Sequence, residues 1–311
     1  MRNILVTGGA GNVGGSLVKR LVQNDNNFVV ILDNLITGSK SKLPSPYYKN
    51  WIFINCDVNR LEELSVVMSS YQFEIVFHYA ALVGVKRTLE NPISVLNDIK
   101  GIENILTLSK NTGVKRVFYS SSSEVYGEPV SLPQIEDITP LNSKLPYAIV
   151  KNVGEAYFKS FKSYFDLDFT IFRFFNTYGP NQSEDFVVKR FLEKAKLNED
   201  ITIYGDGLQT RTFCYIDDNI NATLMALDEE LGFNETINIG SEKEITILEL
   251  AKICIRKTNS KSKIVHLAPL PEGDMTRRKP DLSKMKSLLK YSPKIDIEEG
   301  IELILKMDNS K

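Results

Sequence analysis

An α/β fold with a doubly wound, parallel sheet and a smaller C-terminal lobe is predicted by three observations. Short apolar runs recur at Ile4 to Val6, Val29 to Leu32, Trp51 to Ile54, Ile75 to Phe77 and Val117 to Tyr119. Between them lie longer stretches with apolar residues at threes and fours, including Val13 to Val22, Leu61 to Met68 and Ile102 to Leu108. The first run ends directly in glycines. Alternation of strand and helix periods is the rhythm of βαβ units. After about Asn176 the punctuation changes to turn-rich pieces: Tyr178-Gly179-Pro180, Tyr204-Gly205-Asp206-Gly207 and Pro269-Leu270-Pro271-Glu272-Gly273. That change predicts a division into residues 1–175 and 176–311, with some exchange of chain between the lobes.

A chain of 311 residues, 42% hydrophobic and 25% charged, is long enough to bury a substantial core. Its formal charge of -1 argues against the broad positive face that nucleic acid or an anionic membrane requires, so any phosphate site must be local. The three cysteines, Cys56, Cys214 and Cys254, have no CxxC spacing, and the only histidines are His78 and His266. Neither a disulfide framework nor a metal site is expected. No run of 18 or more apolar residues occurs, and Ile4 to Val6 is too short for a signal peptide, so a cytoplasmic protein is expected.

The first apolar run leads into Thr7-Gly8-Gly9-Ala10-Gly11-Asn12-Val13-Gly14, with a helix expected from about Asn12. A strand, a glycine turn and a helix N-terminus together let backbone N–H groups and the positive end of the helix dipole meet a pyrophosphate. Asp33 ends the second apolar run 19 residues beyond Gly14, where a carboxylate binds ribose hydroxyls and repels a 2′-phosphate. Asn34-Leu35 follow rather than arginine, which favours NAD over NADP. The implied cofactor site is that of a Rossmann-type domain.

Downstream, Tyr147-Ala148-Ile149-Val150-Lys151 begins a helix after a loop containing Pro140 and Pro146. A spacing of four puts Tyr147 and Lys151 on one face, where an ammonium and an oxidised nicotinamide would favour the phenolate. Such a tyrosine takes a proton from a hydroxyl while hydride leaves the same carbon. The run Val117 to Tyr119 ends in Ser120-Ser121-Ser122-Ser123-Glu124-Val125-Tyr126-Gly127, which places hydroxyls at the carboxyl end of a central strand.

These motifs, with Asp33-Asn34-Leu35, Thr37-Gly38, Cys56-Asp57-Val58, His78-Tyr79-Ala80-Ala81, Arg173-Phe174-Phe175-Asn176, Tyr178-Gly179-Pro180, Tyr204 to Gly207, Gln209-Thr210-Arg211 and Arg277-Arg278-Lys279-Pro280-Asp281, resemble the nucleotide-sugar epimerase/dehydratase family, an extended short-chain dehydrogenase/reductase group. The resemblance spans nearly the whole chain. It implies a catalytic triad of Ser122, Tyr147 and Lys151, with Glu124 beside it. It implies an NAD site at Gly8, Gly11, Asn12, Val13, Gly14, Asp33, Asn34, Asp57 (near the adenine), Val58, Ala80 and Ala81, completed by Tyr147 and Lys151. Asn176, Arg211 and Arg278 are implied at the substrate diphosphate, with Val187 also against the substrate. A homodimer is implied too, sealed by four helices from the Tyr147 helix and the helix containing Ile102 and Leu106. Two departures stand out: Asp98 occupies a position where the family usually has an amide, and the turn usually written Arg-x-Gly-Asp reads Pro271-Glu272-Gly273-Asp274.

Other residues have simpler readings. Arg87 is either substrate-facing or a surface cation, His78 and Cys214 are core, Trp51 is packing, and Lys159 to Lys162 are a solvated face. The family oxidises C4 of the sugar first. Return of the hydride to the other face gives a 4-epimer, release of the ketone gives a net dehydrogenase, and elimination or loss of a C6 carboxylate gives a dehydratase or decarboxylase. Epimerisation needs no further acid or base, and Ser123 is a poor acid for elimination, so 4-epimerisation is the first expectation and net dehydrogenation the second. A non-catalytic NAD sensor on the same fold is disfavoured by the intact Tyr147 and Lys151.

Overall fold

All seven strands of the main sheet run parallel in the computed structural model, which describes residues 1–269 and 275–308. In chain order they are β1 (Arg2–Thr7), β2 (Asn27–Asp33), β3 (Trp51–Asn55), β4 (Ile75–His78), β5 (Arg116–Ser122), β6 (Asp168–Phe174) and a seventh, Glu235–Ile239. Their spatial order is Glu235–Ile239, β6, β5, β4, β1, β2, β3. The five apolar runs are the inner portions of β1 to β5. They read as continuous because both sheet faces are covered. Ile4, Val6, Val29, Ile31, Phe77 and Phe118 pack into one core, while Leu5, Val30, Leu32, Val76, Val117 and Tyr119 pack into the other.

Helix Asn12–Leu21 lies against helix Ile216–Asp228 on the first face, and helices Asp98–Thr112 and Pro146–Phe165 lie side by side on the second. Ile102 and Leu106 are 2% and 1% exposed, so they belong to this internal core. Helix Pro146–Phe165 starts where the prolines foretold: Leu145 is extended and Pro146 occupies the first turn, a position where its missing N–H costs nothing.

Beyond β6 the chain builds small pieces over the carboxyl edge. Strand Ile201–Tyr204 pairs with Ile264–Leu267, and Thr210–Thr212 lies between Glu244–Thr246 and Arg277–Arg278. The chain returns to the main sheet between them, where Glu235–Ile239 pairs with β6. The expected turn Pro271 to Asp274 lies outside the described residues. Among those described, no helix is long and apolar enough to cross a membrane. The strand order reverses between β1 and β4, and in open α/β sheets ligands bind in the crevice at that point.

Candidate active site

The glycine loop closes against the start of the next crossover. Gly8 has φ +67°, and a Cβ there would lie 2.7 Å from the Ala80 backbone nitrogen. A Cβ on Gly14 would lie 2.3 Å from the Gly8 carbonyl oxygen, so both positions require glycine. Thr7 Oγ1 accepts the N–H groups of Tyr79 and Ala80, each at 3.1 Å, which brings Ala80 and Ala81 to the loop. Gly11 caps helix Asn12–Leu21 without a side-chain hydrogen bond, and Asn12 Oδ1 is buried with no partner. Open first-turn N–H groups at Asn12, Val13 and Gly14 fit an anionic pyrophosphate.

Asp33 completes this cradle. Its oxygens accept the N–H groups of Ala10 (3.0 Å) and Leu35 (2.8 Å), which fixes the carboxylate beside the glycine loop. Asn34 makes a local turn by accepting the Ile36 N–H, and Asp57 does the same with Asn59. Val58 is buried and would be touched by any side chain at Gly101. The residues present therefore fit a dinucleotide.

At the carboxyl end of β5, Ser122 Oγ accepts the Glu124 N–H at 3.2 Å, capping the short helical turn Ser123–Tyr126. Ser122 stands near Tyr147 of helix Pro146–Phe165, close enough to help lower the pKa of its hydroxyl. Burial holds the Tyr147 hydroxyl above its ordinary pKa, and the Glu124 carboxylate adds to this. Ser122 and Arg278 oppose the shift less strongly. The Lys151 ammonium stands 5.8 Å from the Tyr147 ring centre, and burial is the largest influence on the hydroxyl. Lys151 is 2% exposed, donates to Ser120 Oγ at 3.5 Å and sits over the Tyr119 ring. Burial brings its pKa down to about 8. His78 is a core residue as expected: Nδ1 contacts Thr7 Oγ1 at 2.9 Å, and burial brings its pKa down to about 3.

Beneath this corner lies a network that sequence reasoning missed. Glu155, one turn beyond Lys151, accepts from Ser121 Oγ (2.6 Å), Arg173 Nε (2.8 Å) and Arg173 Nη2 (2.6 Å). Arg173 also donates to Tyr126 and to the Glu136 carbonyl, and Tyr126 donates to Asn238. The serine strand is thus tied to the helix carrying Tyr147. An acid four residues after Lys151, on the same buried helix face, was the available signal.

The implied substrate residues gather on the smaller lobe. Arg211 and Arg278 are cross-strand partners and are 7% and 5% exposed. Asn176, at φ 38°, donates its amide to the Thr212 carbonyl. Arg278 also reaches back to the catalytic corner: Nη1 meets Glu124 Oε1 at 2.9 Å and Ser123 Oγ at 3.5 Å. Val187 opens helix Val187–Lys196. Just before it, Asp185 pairs with Arg87 at 2.8 Å, so Arg87 links its helix to this loop. Trp51 donates to the Ser45 carbonyl, and Cys214 is fully buried. Lys159 is exposed, whereas Lys162 pairs with Asp166 and Asp168.

Residues 4–240 match the family model described as the NAD dependent epimerase/dehydratase family. This chain belongs to that family. A putative UDP-glucose 4-epimerase of Methanocaldococcus jannaschii is 37% identical, with 97% of each chain covered. A UDP-N-acetyl-alpha-D-glucosaminuronate decarboxylase of Bacillus cytotoxicus is also 37% identical, over 97% of this chain and 96% of that one. Among solved structures, the UDP-glucose 4-epimerase of Thermotoga maritima with UDP-glucose superposes with a TM-score of 0.93 at 32% identity, covering 99% of both chains. As a member of the epimerase/dehydratase family, the protein is an NAD-dependent enzyme of nucleotide-sugar metabolism with a Rossmann-type fold.

Proposed function

We propose that the protein interconverts the C4 epimers of a UDP-hexose, with Tyr147 as acid/base. The single observation that carries this reading is the nearness of Tyr147, in the first turn of helix Pro146–Phe165, to Ser122 at the carboxyl end of β5. NAD, when bound, accepts and returns the hydride and adds a positive charge that favours the Tyr147 phenolate. Tyr147 removes the proton of the C4 hydroxyl, and Ser122 donates to the same oxygen. Lys151 supplies a buried cation one turn away. Asn176, Arg211 and Arg278 hold the diphosphate, with Val187 against the substrate. The cofactor contacts are those set out above, from Gly8 to Ala81. A UDP carrier is favoured by the names of the relatives.

Glu124 decides the ranking of outcomes. Its Oε1 is held by Arg278, which suits a reaction needing no second base. A second reading, decarboxylation or elimination, is favoured by Glu124 Oε2, which is buried without a partner. Substrate labelled with deuterium at C4 separates them. Label returned to C4 with no oxidant consumed is the expected result; loss of carbon dioxide or water would replace epimerisation by the second reading. Accumulating NADH with free 4-keto sugar would indicate net dehydrogenation.

The site is proposed to work in the cytoplasm, where its three buried, unpaired thiols stay reduced. A homodimer is proposed through the outer faces of helices Asp98–Thr112 and Pro146–Phe165, where Ile149 is 40% exposed. Sedimentation velocity measures it.

A further inference from the structure

Thr276, Arg277 and Arg278 are held one by one, each by a different carboxylate. Arg277 gives Nε and Nη2 to Glu244, at 2.9 and 2.8 Å, and Glu244 also accepts from Thr210 Oγ1 on the neighbouring strand. Arg278 meets Glu124 at 2.9 Å. Thr276 gives Glu128 both its N–H, 3.2 Å from each oxygen, and its hydroxyl. The Glu244 contact stays within the three-stranded sheet. The other two cross to the segment that follows β5, 154 and 148 positions away.

That segment is bent between its two acids. Gly127 has φ +67° and donates its N–H to the Glu124 carbonyl at 3.1 Å. A Cβ there would lie 2.4 Å from Asn142 Oδ1 and 2.8 Å from the Ser143 nitrogen, so the bend requires glycine and holds Glu124 and Glu128 in one relation. On the other side, the Thr276 carbonyl accepts the Thr210 N–H at 3.0 Å. Thr276 is thus fastened to the β5 segment by its N–H and hydroxyl, and to the substrate-side sheet by its carbonyl.

The two crossing contacts differ in what else is asked of them. Arg278 Nη1 already serves Glu124 and Ser123 Oγ, Nη2 meets Met275 Sδ at 3.0 Å, and Nε is buried with no partner. A phosphate drawn to Arg278 competes with the Glu124 carboxylate for one positive charge, and the two anions repel each other. The Thr276–Glu128 contact uses neither the guanidinium nor Glu124, so it can keep the strand in register while Arg278 turns to the phosphate.

We propose that Glu128 is a positioning residue for the substrate: by clasping Thr276 it holds strand Arg277–Arg278 at the catalytic corner while Arg278 engages the diphosphate. The proposal rests on the assignment of Arg278 to the diphosphate above. Glu128 itself is exposed and acts only through the strand that it places.

Nucleoside diphosphates test this, because they carry the diphosphate without a sugar and so report grip apart from C4 chemistry. The probe is the tightest-bound of UDP, GDP and dTDP, titrated by calorimetry into protein supplied with NAD. Glu128→Ala is expected to weaken it about fivefold, the lower end of coupling between sites. Glu128→Gln, whose amide oxygen still accepts from Thr276, is expected to recover most of that loss. In an Arg278→Met background, Glu128→Ala is expected to add less than about twofold, since a clasp that works through Arg278 has nothing left to place. With the sugar substrate, Glu128→Ala should raise KM while kcat stays within about twofold. The Glu128 variants lie at an exposed position, so their affinities and KM values decide the matter even if Arg278→Met does not fold. Unchanged affinity in Glu128→Ala, an equal loss with and without Arg278, a loss that Glu128→Gln does not recover, or a fall in kcat at constant KM overturns the proposal and leaves Arg278 at the diphosphate. Binding of none of the three probes, or unchanged affinity in Arg278→Met, overturns the diphosphate assignment itself and this inference with it.

Discussion

The cofactor end and the sugar-phosphate end of the crevice are built in opposite ways. At the proposed cofactor end the backbone does the work: Gly8 and Gly14 allow near contact, Thr7 and Asp33 accept main-chain N–H groups, and the N-terminus of helix Asn12–Leu21 faces the loop. At the sugar-phosphate end, single side chains meet across long stretches of chain. Arg278 and Glu124 are 154 positions apart, and Tyr126 and Asn238 are 112 apart. A backbone site tolerates few residue types and leaves a readable motif. A side-chain site is spread over separate short pieces, here those of Asn176, Arg211 and Arg278, whose meeting the sequence does not display.

Substitutions sharpen the contrast, and the largest effect is expected at Tyr147. Removing its hydroxyl in Tyr147→Phe should lower hydride transfer about 100- to 10,000-fold while NAD binding holds; stopped-flow formation of NADH reads the step, and retained turnover would refute the role. Next comes Glu155→Ala, which strands the Arg173 guanidinium in the core. Loss of one partner from a buried pair typically costs about 3–5 kcal/mol, seen as a lowered denaturation midpoint. A loss below about 1 kcal/mol would show the network to be dispensable.

A middling effect is expected at the cofactor end. Asp33→Ser removes the charge that repels a 2′-phosphate, so NAD should weaken and discrimination against NADP should relax by about tenfold, or 1.4 kcal/mol. Tighter NADP binding by the unaltered protein would reverse the ribose assignment. The smallest effect is expected from Glu124→Gln. Epimerisation asks nothing of this carboxylate, so turnover should fall by less than about tenfold; a larger loss would favour decarboxylation or elimination.

Much of this was legible beforehand, for local reasons. β1 to β5 announced themselves as apolar runs because both faces of the sheet are buried, and helix Pro146–Phe165 was marked by prolines at its start. The pairing of Arg278 with Glu124 was not legible, because strand Arg277–Arg278 is set in place by distant pieces, its neighbour Thr210–Thr212 and the Gln134 bridge to Pro280. Asp98 was noticed as an unusual residue, but its Leu82 contact depends on how two crossovers pack. Burial also governs Tyr147 and Lys151 more strongly than their spacing suggests, since desolvation is the largest influence on both.

The return of Glu235–Ile239 to the sheet has a consequence for how the enzyme matures. Asn238 receives the Tyr126 hydroxyl, Tyr126 and Glu136 orient Arg173, and Arg173 grips Glu155 on the helix of Tyr147 and Lys151. A chain emerging from the ribosome therefore carries Tyr147 and Lys151 long before it carries their brace. The corner is braced when the strand through Ile239 docks, and Arg278, which meets Glu124 there, is made later still. A chain cut short before Ile239 thus has neither this brace nor Arg278.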